Sequence, residues 1–562
     1  MTTRRDAMRF AVAGVAAMPA ALAPTARASA HADEANAANA ANAANAANAA
    51  NAACRADTPQ WAGGIEGQRK ADLGNGLYLN PVIAGDYPDP SVLKDGDDYY
   101  MTHSSFEASP GLLIWHSRDL VNWSPVGPAL HKPLGTVFAP DLVKHGDRYF
   151  IYIPFMRAPW STGLASFANI HVIHAPSIDG PWSDPIDLGI GGLIDPGHVV
   201  GEDGHRYLFL SAGKRVRLSA DGLRTDGPVD TVYEGWRYPD DWITEAYALE
   251  GPKLFRRGAY FYLVSAVGGT GGPATGHMIV ASRSRSIHGP WEHCPHNPIQ
   301  RTRSDTEMWW SRGHATCVEG TDGRWYMMYH GFENGYRSLG RQTLLEPIAW
   351  TVDGWFKATG GDLSRPLPKP AGRALAHGFA RSDDFAKASL GTRWNLHGSA
   401  PAEAGRVSVS HGALTLVGKG TGPQDSAPLV QQVGDRAYDV SVALELVGAA
   451  TGGLLLFFND RLFLGMGIDG QTMITYRGGK PSYWVEPAPP SRQLFLRIVN
   501  AHQIVTFYYS MDGATWTRHG VRNEVSGYHA NTMDDLLSLR PALFATGDGS
   551  VRFRRFFYKA LA

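Results

Sequence analysis

The amino-acid sequence predicts an all-β protein in which a five-bladed β-propeller is followed by a β-sandwich. Three observations support this fold class. The chain of 562 residues contains 64 glycines and 11% aromatic residues, a composition typical of proteins rich in strands and turns. One turn-and-strand pattern occurs five times in the first two thirds of the chain, and short alternating strands fill the last third. A chain of this length also requires two or more domains.

The first 30 residues predict an export signal. Arg4 and Arg5 precede an apolar run, and the small residues "ASA" at 28–30 form a candidate cleavage site. The arginine pair favours the twin-arginine route, which carries folded proteins, over an ordinary Sec signal. Residues 31–74 include repeated "NAA" triplets with no apolar face and predict a disordered linker. The mature protein is therefore expected in the periplasm or outside the cell.

Charge and cysteine content argue against several classes of partner. The formal net charge is −1, whereas proteins that bind nucleic acids or anionic membranes are usually basic. No later segment is long and apolar enough to span a bilayer. The three cysteines, Cys54, Cys294 and Cys317, lack both a disulfide framework and zinc-ligand spacing. Cys294 and Cys317 could pair, but two free thiols are the favoured interpretation.

The repeat consists of a turn rich in Asp and Gly followed by an aromatic-aliphatic strand. It reads "GDDYYMTHS", "HGDRYFIYI", "EDGHRYLFLS", "RRGAYFYLVSA" and "TDGRWYMMYH". The marker residues are Tyr99, Tyr149, Tyr207, Tyr260 and Trp325, at steps of 50, 58, 53 and 65 residues. Each step has room for about four strands, which is the size of a propeller blade. The sequence therefore predicts a five-bladed propeller over residues 75–365, with Trp123, Trp182 and Trp291 packed between blades.

An ionisable residue precedes each marker by eight to twelve positions. These residues are Asp89 in "PDP", Asp141 in "APD", Asp195 in "IDP", Glu250 in "LEGP" and His314 in "RGHA". The position falls on the innermost strand of each blade, so the five side chains should meet at the mouth of the central channel. A single Asp-Pro is usually a turn device, but five equivalent positions are not explained in that way. Because gathering carboxylates costs Coulomb and desolvation energy, function is the usual reason for such a cluster.

The geometry of a five-membered ring separates the roles of the three central acids. With an assumed radius of ~4.5 Å, groups on adjacent blades lie ~5 Å apart and groups two blades apart lie ~8.5 Å apart. Asp89 and Glu250 are two blades apart, which suits an inverting glycosidase because a water must fit between base and sugar. Asp195 is adjacent to Glu250 and should raise the pKa of Glu250 by like-charge repulsion, keeping it protonated as an acid.

Longer motifs resemble glycoside hydrolase family 43, which is known for β-xylosidases and α-L-arabinofuranosidases. They run in order from about Asn80 to Trp355 and include "NPVIAGDYPDPSVLKDGDDYYMTHSSFEASPGL", "FAPDL", "LIDPG", "LEGPKLF", "RGHATCVEGTDGRWYMMYH" and "LGRQTLLEPIAW". By this resemblance, Asp89 is the general base, Glu250 is the general acid, and Asp195 is the residue that modulates the pKa and has an orienting role.

The resemblance also implies roles for the residues around these acids. Arg341 would contact the substrate, Asp141 would line the pocket, and His314 would hold a water or a metal ion. No cofactor is required by this interpretation, although a central or structural Ca²⁺ near His314 is possible. A satisfied structural histidine is the alternative for His314.

The predicted wall of the sugar pocket departs from the family pattern. After Phe106 and Glu107, close β-xylosidase relatives usually carry two aromatic residues, whereas this chain has Ala108 and Ser109. We therefore expect a wider or differently walled pocket. Candidate stacking surfaces for a sugar are Phe106, Trp309 and Trp310, and the alternative for the two tryptophans is interblade core. The glycine-rich "GGTGG" at 268–272 lacks the lysine of a phosphate cradle and is interpreted as a flexible loop at the channel rim.

Residues 366–380 predict a linker and residues 381–562 a β-sandwich. The linker is rich in Pro and Gly, and beyond it short alternating strands such as "YDVSVALELV" and "LFLRIVN" are parted by turns. This part resembles the concanavalin-like jelly-roll module that follows the propeller in many family 43 xylosidases. Glycan binding, covering of the active-site rim and a purely structural role are all open for it.

The expected function is an exported, exo-acting, inverting glycosidase. It would release pentose residues, xylose or arabinofuranose, from plant-type oligosaccharides or polysaccharides, with no nucleic-acid or membrane partner. One alternative is a non-hydrolytic, sugar-binding propeller with a lectin-like sandwich, which the complete set of acids disfavours. Another is a fructan or galactan hydrolase on the same scaffold. Retaining fructosidase propellers usually open with an Asn-Asp-Pro element, which this sequence lacks.

Overall fold

The computed structural model describes residues 60–161, 163–482, 486–487, 489 and 491–561. The predicted export signal, Cys54 and the "NAA" triplets lie outside these residues. Within them, the only helices are short: Ile65–Gly67, Ser211–Gly213, Arg337–Leu339, Pro401–Arg406, Pro423–Asp425 and Ala530–Met533. No helix of this described part is long and apolar enough to cross a membrane.

Five antiparallel sheets follow one another along the chain and form the blades of a propeller. From the channel outward, the strands are Ser91–Asp95, Asp98–Thr102, Gly111–Ser117 and Ser124–Leu130 in blade 1; Asp141–His145, Arg148–Met156, Ala168–Ala175 and Ile186–Gly191 in blade 2; Gly197–Val200, Arg206–Leu210, Lys214–Leu218 and Asp230–Thr231 in blade 3; Glu250–Arg257, Tyr260–Val267, Met278–Ser284 and Glu292–His293 in blade 4; and Trp309–Glu319, Trp325–Glu333, Arg341–Trp350 and Phe356–Ala358 in blade 5. The short strands Thr136–Val137 and Gln300–Arg301 extend blades 2 and 4.

The five blades close into a ring. Each innermost strand contacts the innermost strand of the next blade, and that of blade 5 contacts that of blade 1. The segment before blade 1 also pairs with blade 5, since the backbone N–H of Val82 donates to Thr343 at 2.9 Å and that of Tyr87 to Arg341 at 3.1 Å. Strands Leu77–Tyr78 and Leu367–Pro368 pair beside this junction. The prediction of a five-bladed propeller is confirmed.

Apolar side chains from neighbouring blades fill the spaces between the sheets. All five aromatic markers lie on the second strand of their blades. Trp123 is fully buried in the cluster shared by blades 1, 4 and 5. Trp182 packs into the cluster that contains Leu112 of blade 1, and the Trp291 ring meets Phe209 of blade 3 edge to face at 5.8 Å. These tryptophans therefore pack between blades, as predicted.

The predicted disordered linker over residues 31–74 is wrong for residues 60–74. Strand Ala62–Gly63 pairs with Arg69–Lys70, and Ala71 is buried. Arg69 explains this order, since its Nη1 lies 2.9 Å from Glu333 Oε2 of blade 5 and its guanidinium stacks over Trp61. The two described cysteines, Cys294 and Cys317, are free thiols.

A second, β-rich domain follows the propeller. Its strands are Asn395–His397, Val407–Ser410, Ala413–Val417, Leu429–Val430, Ala437–Asn459, Leu462–Ile468, Thr472–Arg477, Lys480–Pro481, Glu486–Pro487, Gln493–Ala501, Ile504–Ser510, Thr517–Glu524 and Arg540–Ala560. The long strands Ala437–Asn459 and Arg540–Ala560 pair with each other. Because the first half of Ala437–Asn459 also pairs with Gln493–Ala501 and its second half with Leu462–Ile468, the long strands connect both layers of a sandwich. This confirms the predicted sandwich.

Candidate active site

The five predicted ionisable residues lie at the start of, or within, the innermost strands. Asp141 and Glu250 are the first residues of their strands, Asp89 and Asp195 stand two residues before theirs, and His314 lies inside Trp309–Glu319. All five are buried, with exposed fractions of 3–8%. The ring of blades thus brings together the side chains that the repeat predicted.

Three of these equivalent positions have left-handed backbone. The φ angles are 57° at Asp89, 57° at Asp195 and 58° at His314. Residues other than glycine rarely adopt this conformation, and it is concentrated at functional sites. Gly251, the residue after Glu250, has φ 60°, and a Cβ there would lie only 3.0 Å from the His314 ring. The backbone therefore turns in the same way at four blades to aim these groups inward.

Asp89 is held by a group of hydrogen-bond donors. Its Oδ1 lies 2.9 Å from Nδ1 of His330, 3.1 Å from Nη1 of Arg341 and 3.5 Å from Nδ1 of His314. Its Oδ2 accepts a hydrogen bond from Ser104 Oγ at 2.5 Å. Burial alone would raise the pKa of the Asp89 carboxyl, but Arg341, His314 and His330 together hold it well below its usual range. Asp89 is consequently ionised at neutral pH.

Asp195 experiences the opposite electrostatic environment. Its Oδ2 accepts the backbone N–H of Gly251 at 3.0 Å, which places it beside Glu250. Burial, the Glu250 carboxyl and the Asp89 carboxyl raise the pKa of Asp195 well above its usual range. Two adjacent buried carboxyls repel each other when both are ionised, so the Asp195–Glu250 pair retains a proton more readily than an isolated acid. The specific rise predicted for the pKa of Glu250 stays a prediction.

His314 lies between Asp89 and the Asp195–Glu250 pair. Its Nδ1 faces Asp89, and its ring packs over Gly251 next to Glu250. The pKa of His314 is lowered to about 4, chiefly by burial, so the ring is neutral at pH 7. Its Nε2 is buried and has no hydrogen-bond partner within the described protein. A neutral imidazole with one free nitrogen can bind a water or a substrate hydroxyl.

Arg341 and Phe106 lie against each other beside Asp89. The Arg341 guanidinium carbon lies 5.5 Å from the centroid of the Phe106 ring, and Phe138 meets Phe106 edge to face at 5.6 Å. Nε and Nη2 of Arg341 are buried and lack hydrogen-bond partners among the residues that the structure describes. Because an unpaired buried guanidinium N–H is costly, these two donors suit the hydroxyls of a bound substrate.

Asp141 has a different environment from the other acids. Its Oδ1 accepts from Lys253 Nζ at 2.7 Å and from Ser91 Oγ at 3.2 Å, and its Oδ2 accepts the backbone N–H of His198 at 2.7 Å. These partners belong to blades 4, 1 and 3, while Asp141 itself belongs to blade 2. Both oxygens are therefore engaged in tying four blades together, which indicates a structural role in place of the predicted pocket lining.

The two candidate tryptophans separate into different environments. Trp309 is fully buried in the interblade core, and its Nε1 donates to Leu363 at 3.4 Å. Trp310 is half-buried, packs against the apolar cluster of the sandwich and donates through Nε1 to Asp305 at 3.0 Å. For Trp309, the alternative that it belongs to the interblade core, and not to a sugar-stacking surface, is therefore correct.

Two further histidines reach the site and were not predicted from the sequence. Nδ1 of His330 lies 2.9 Å from Asp89 Oδ1 and accepts the backbone N–H of Asp89 at 3.3 Å, and its Nε2 lies 3.0 Å from Thr270 Oγ1. Burial, with a contribution from Arg341, lowers the pKa of His330 to about 3. His277 lies on the other side, with Nε2 3.2 Å from Glu250 Oε1 and Nδ1 3.4 Å from the Ser311 carbonyl. Both rings are fully buried, and each lies against one proposed catalytic carboxyl.

The described side chains around the channel do not form a metal site. Among the described residues, no group of three or more His, Cys, Asp or Glu side chains could hold one. Ca²⁺ takes six to eight oxygen ligands, whereas the atom of His314 that is unpartnered within the described residues is a nitrogen. The protein side chains alone do not fit a Ca²⁺ cage, so no catalytic step is assigned to a metal.

Comparisons with known proteins agree with this geometry. The sequence profile described as "Glycosyl hydrolases family 43" matches residues 78–356, and the profile "Beta xylosidase C-terminal Concanavalin A-like domain" matches residues 382–534. A crystal structure of a family 43 protein from Bacillus licheniformis superposes with a TM-score of 0.77 at 26% identity, covering 86% of this chain and all of that chain.

Two curated relatives match over shorter stretches. A "Xylan 1,3-beta-xylosidase" from a Vibrio species is 33% identical over 50% of this chain and 57% of its own length. A "Non-reducing end alpha-L-arabinofuranosidase" from Bacteroides ovatus is 31% identical over 62% of this chain and 66% of its own length. The matched segments thus span less than two thirds of either relative. Both the propeller and the sandwich therefore have counterparts among known proteins.

Proposed function

The chain belongs to glycosyl hydrolase family 43, and we propose that it is an exo-acting glycoside hydrolase. It would remove pentose units, xylose or arabinofuranose, from plant-type oligosaccharides or polysaccharides with inversion. The observation that carries this proposal is the contrast between two places in one buried channel: Asp89 lies 3.1 Å from Arg341, which lowers the pKa of Asp89, whereas Asp195 lies beside Glu250, whose carboxyl raises the pKa of Asp195. A base and an acid facing one substrate are what inverting hydrolysis needs.

The reaction follows from these protonation states. Asp89 accepts a proton from a water molecule as the water oxygen attacks the anomeric carbon. Glu250 donates its proton to the glycosidic oxygen, whose bond to the anomeric carbon breaks. One water is consumed, Asp89 ends protonated and Glu250 ends ionised, and both states are restored by proton exchange with solvent. Asp195 and Glu250 cannot both be ionised side by side in a buried site without strong repulsion, so the pair keeps one proton until Glu250 donates it.

The neighbouring groups orient the reactants. His330 and Ser104 hold the Asp89 carboxylate from two sides, so the base has one rotamer for receiving the proton. The free donors of Arg341 would bind hydroxyls of the sugar that is released, and the Phe106 ring would limit the depth of the pocket. The relatives named for xylose and arabinofuranose support a pentose at this position.

The first experiment compares Glu250→Gln with Asp89→Asn on two kinds of substrate. A nitrophenol leaving group needs little protonation, so Glu250→Gln should abolish cleavage of native glycosidic linkages yet retain part of the nitrophenyl pentoside activity. Asp89→Asn should abolish both, because the attacking water is common to both substrates. Equal losses in the two variants on both substrates would contradict the assignment. NMR of the first-formed anomer tests inversion, and assays with and without a chelator test for a metal requirement.

Export is also part of this proposal. It is supported by the arginine pair, the apolar run and the "ASA" site in the first 30 residues. A substrate too large to enter a cell is consistent with an enzyme outside the cytoplasm. Cell fractionation of the natural host, with an Arg4→Lys, Arg5→Lys variant as control, would test the route.

A further inference from the structure

We propose that an aromatic platform beside Glu250 binds the leaving-group side of the glycan, beyond the bond that is cleaved. The platform consists of Trp236, Tyr238, Trp242 and Tyr247, all in the connection between blades 3 and 4. Its ligands would be neutral sugar residues. This inference rests on the proposed function, because it takes Glu250 as the acid that protonates the leaving oxygen.

The platform lies at the same end of blade 4 as Glu250. Its chain segment, residues 232–249, ends where Glu250 begins the innermost strand. The four rings pack against Val267 and Met278, which end the second strand of the blade and begin the third. Glu250 itself pairs with Ala266, one residue before Val267. The platform therefore extends outward from Glu250 over the top of blade 4.

The rings form a continuous, half-exposed surface. Tyr238 and Trp242 are nearly parallel, 5° apart with centroids at 6.4 Å, and Trp236 meets Trp242 at 6.2 Å. All the rings are half-buried, and Ile243 beside them is 73% exposed. The apolar faces of sugar rings stack on aromatic surfaces of this kind. Arg237 and Arg301 lie over the Tyr247 and Trp242 rings, and the parts of the four rings that stay exposed offer a stacking surface for a glycan chain next to a predicted catalytic acid.

The platform is held in a fixed shape before any ligand binds. The Tyr238 hydroxyl bonds to Thr244 Oγ1 at 3.0 Å, and the Tyr247 hydroxyl donates to the Trp236 carbonyl at 3.3 Å. Arg301 lies 3.7 Å from the Trp242 ring centroid. A preformed surface loses little entropy on binding, which favours a binding role over a passive loop.

The glycine-rich loop "GGTGG" at 268–272 anchors this segment. The backbone N–H of Gly271 donates to Glu245 Oε2 at 2.7 Å, and the N–H of Glu245 donates to the Gly268 carbonyl at 3.0 Å. A Cβ at Gly272 would lie 2.5 Å from the Glu245 side chain, so only glycine fits. The same loop places Thr270 against His330. The predicted flexible rim loop is thus a fixed brace between the platform and the catalytic base.

The position matches the path of the leaving group. Protonation by Glu250 requires the glycosidic oxygen to contact this carboxyl, so the first leaving sugar lies against it and the following sugars continue outward. The acidic and basic side chains near the platform, Glu234, Asp240, Asp241, Arg237 and Arg301, are of mixed sign. A mixed-sign surface favours a neutral glycan over a highly charged one.

The test compares chain-length dependence in Trp242→Ala, Trp242→Phe and Trp516→Ala. Trp516 is the matched control, a half-buried tryptophan of the sandwich whose ring lies 5.4 Å from the Arg497 guanidinium carbon. The substrates are a nitrophenyl xyloside and xylo-oligosaccharides of two to five residues, with the matching arabinosides if arabinofuranose is the sugar released. For Trp242→Ala we expect kcat/KM on the tetraose to fall about tenfold more than on the nitrophenyl glycoside. Trp242→Phe should recover most of the loss, and Trp516→Ala should change neither value.

Two outcomes would contradict the proposal that the platform binds the leaving-group side of the glycan. Equal losses on both substrates would mean that Trp242 only supports the fold around Glu250, and no loss on the tetraose would mean that the platform is not used. Calorimetric titration of the same oligosaccharides into Glu250→Gln, with and without Trp242→Ala, separates this proposal from the catalytic one. Weaker binding in the double variant supports the platform even if the protein cleaves no pentoside, whereas undetectable or unchanged binding refutes it.

Discussion

Replacing Arg341 by methionine should move the acidic limb of the pH–rate profile to higher pH. Asp89 must be ionised to act as base, so activity is lost as the pH falls through the pKa of Asp89. The charge of Arg341 is the largest of the effects that lower this pKa against the opposing effect of burial. Methionine keeps the length and apolar contacts of the arginine stem but removes the charge. The variant therefore isolates the electrostatic contribution.

The size of the shift follows from the geometry. Asp89 Oδ1 and Arg341 Nη1 are 3.1 Å apart and both side chains are buried. At this distance, unit charges in an effective dielectric of about 20 attract by ~5 kcal/mol, which is an upper bound. His330, His314 and Ser104 remain in the variant and keep stabilising the carboxylate. We therefore expect the acidic limb to move upward by about 1–3 pH units, the range usual for a carboxyl beside an arginine.

The assay is kcat/KM on a nitrophenyl pentoside across the pH range, each curve normalised to its own maximum. Normalisation removes the loss of binding that Arg341→Met also causes. Lys144→Met is the control, since it removes a cation 2.7 Å from Asp95 at the end of the innermost strands that lies away from Asp89, and its profile should not move. An unmoved acidic limb in a folded Arg341→Met protein would refute the claim that this guanidinium keeps Asp89 ionised.

Two further predictions concern stability. Burial, Glu250 and Asp89 raise the pKa of Asp195 in the folded protein. The contribution of Asp195 to the free energy of unfolding is therefore fully present below the pKa that it has in the unfolded chain, and it is lost as the pH rises through the folded-state pKa. Asp195→Asn should consequently raise Tm at pH 7 by ~1–3 °C, with a smaller gain at pH 4, while activity falls. A lower Tm at pH 7 would contradict this sign. Lys253→Met leaves the buried Asp141 carboxylate without its cation and should cost ~3–5 kcal/mol of stability. Adding Asp141→Asn should restore most of that loss in thermal denaturation, and equal Tm values for the single and double variants would show that the pair is not coupled.

The ring and its acids could be predicted from the sequence because each blade repeats the same local pattern. A turn, an aromatic strand and an ionisable residue at fixed spacing are visible without any long-range information, as Asp89 and Tyr99 in blade 1 illustrate. Propeller symmetry then converts equal positions along the chain into one location in space. The left-handed backbone at Asp89 and Asp195 agrees with this equivalence, since the chain adopts the same conformation at the same position of two blades.

The residues that orient the acids could not be predicted in this way because they break the repeat. His330 comes from the second strand of blade 5 and His277 precedes the third strand of blade 4, so neither occupies a position shared by other blades. Asp141 is the opposite case. It occupies the repeated position, but Lys253 of another blade donates to it, so that Asp141 links blades instead of facing the substrate. Spacing along the chain locates a side chain, but its partners depend on strands that are remote in sequence.

The contacts of the sandwich narrow the open question about its role. Strand Ala108–Ser109, which begins two residues after Phe106, pairs with Asn395–His397 of the sandwich. Leu539 of the sandwich donates its N–H to the Ser338 carbonyl at 2.8 Å, three residues before Arg341. The segments that carry Phe106 and Arg341 are thus both hydrogen-bonded to the second domain. Because a displacement of about 1 Å in a positioning group can cost two orders of magnitude in rate, these contacts favour a supporting role for the sandwich, and any binding of glycan by it would be additional to that role.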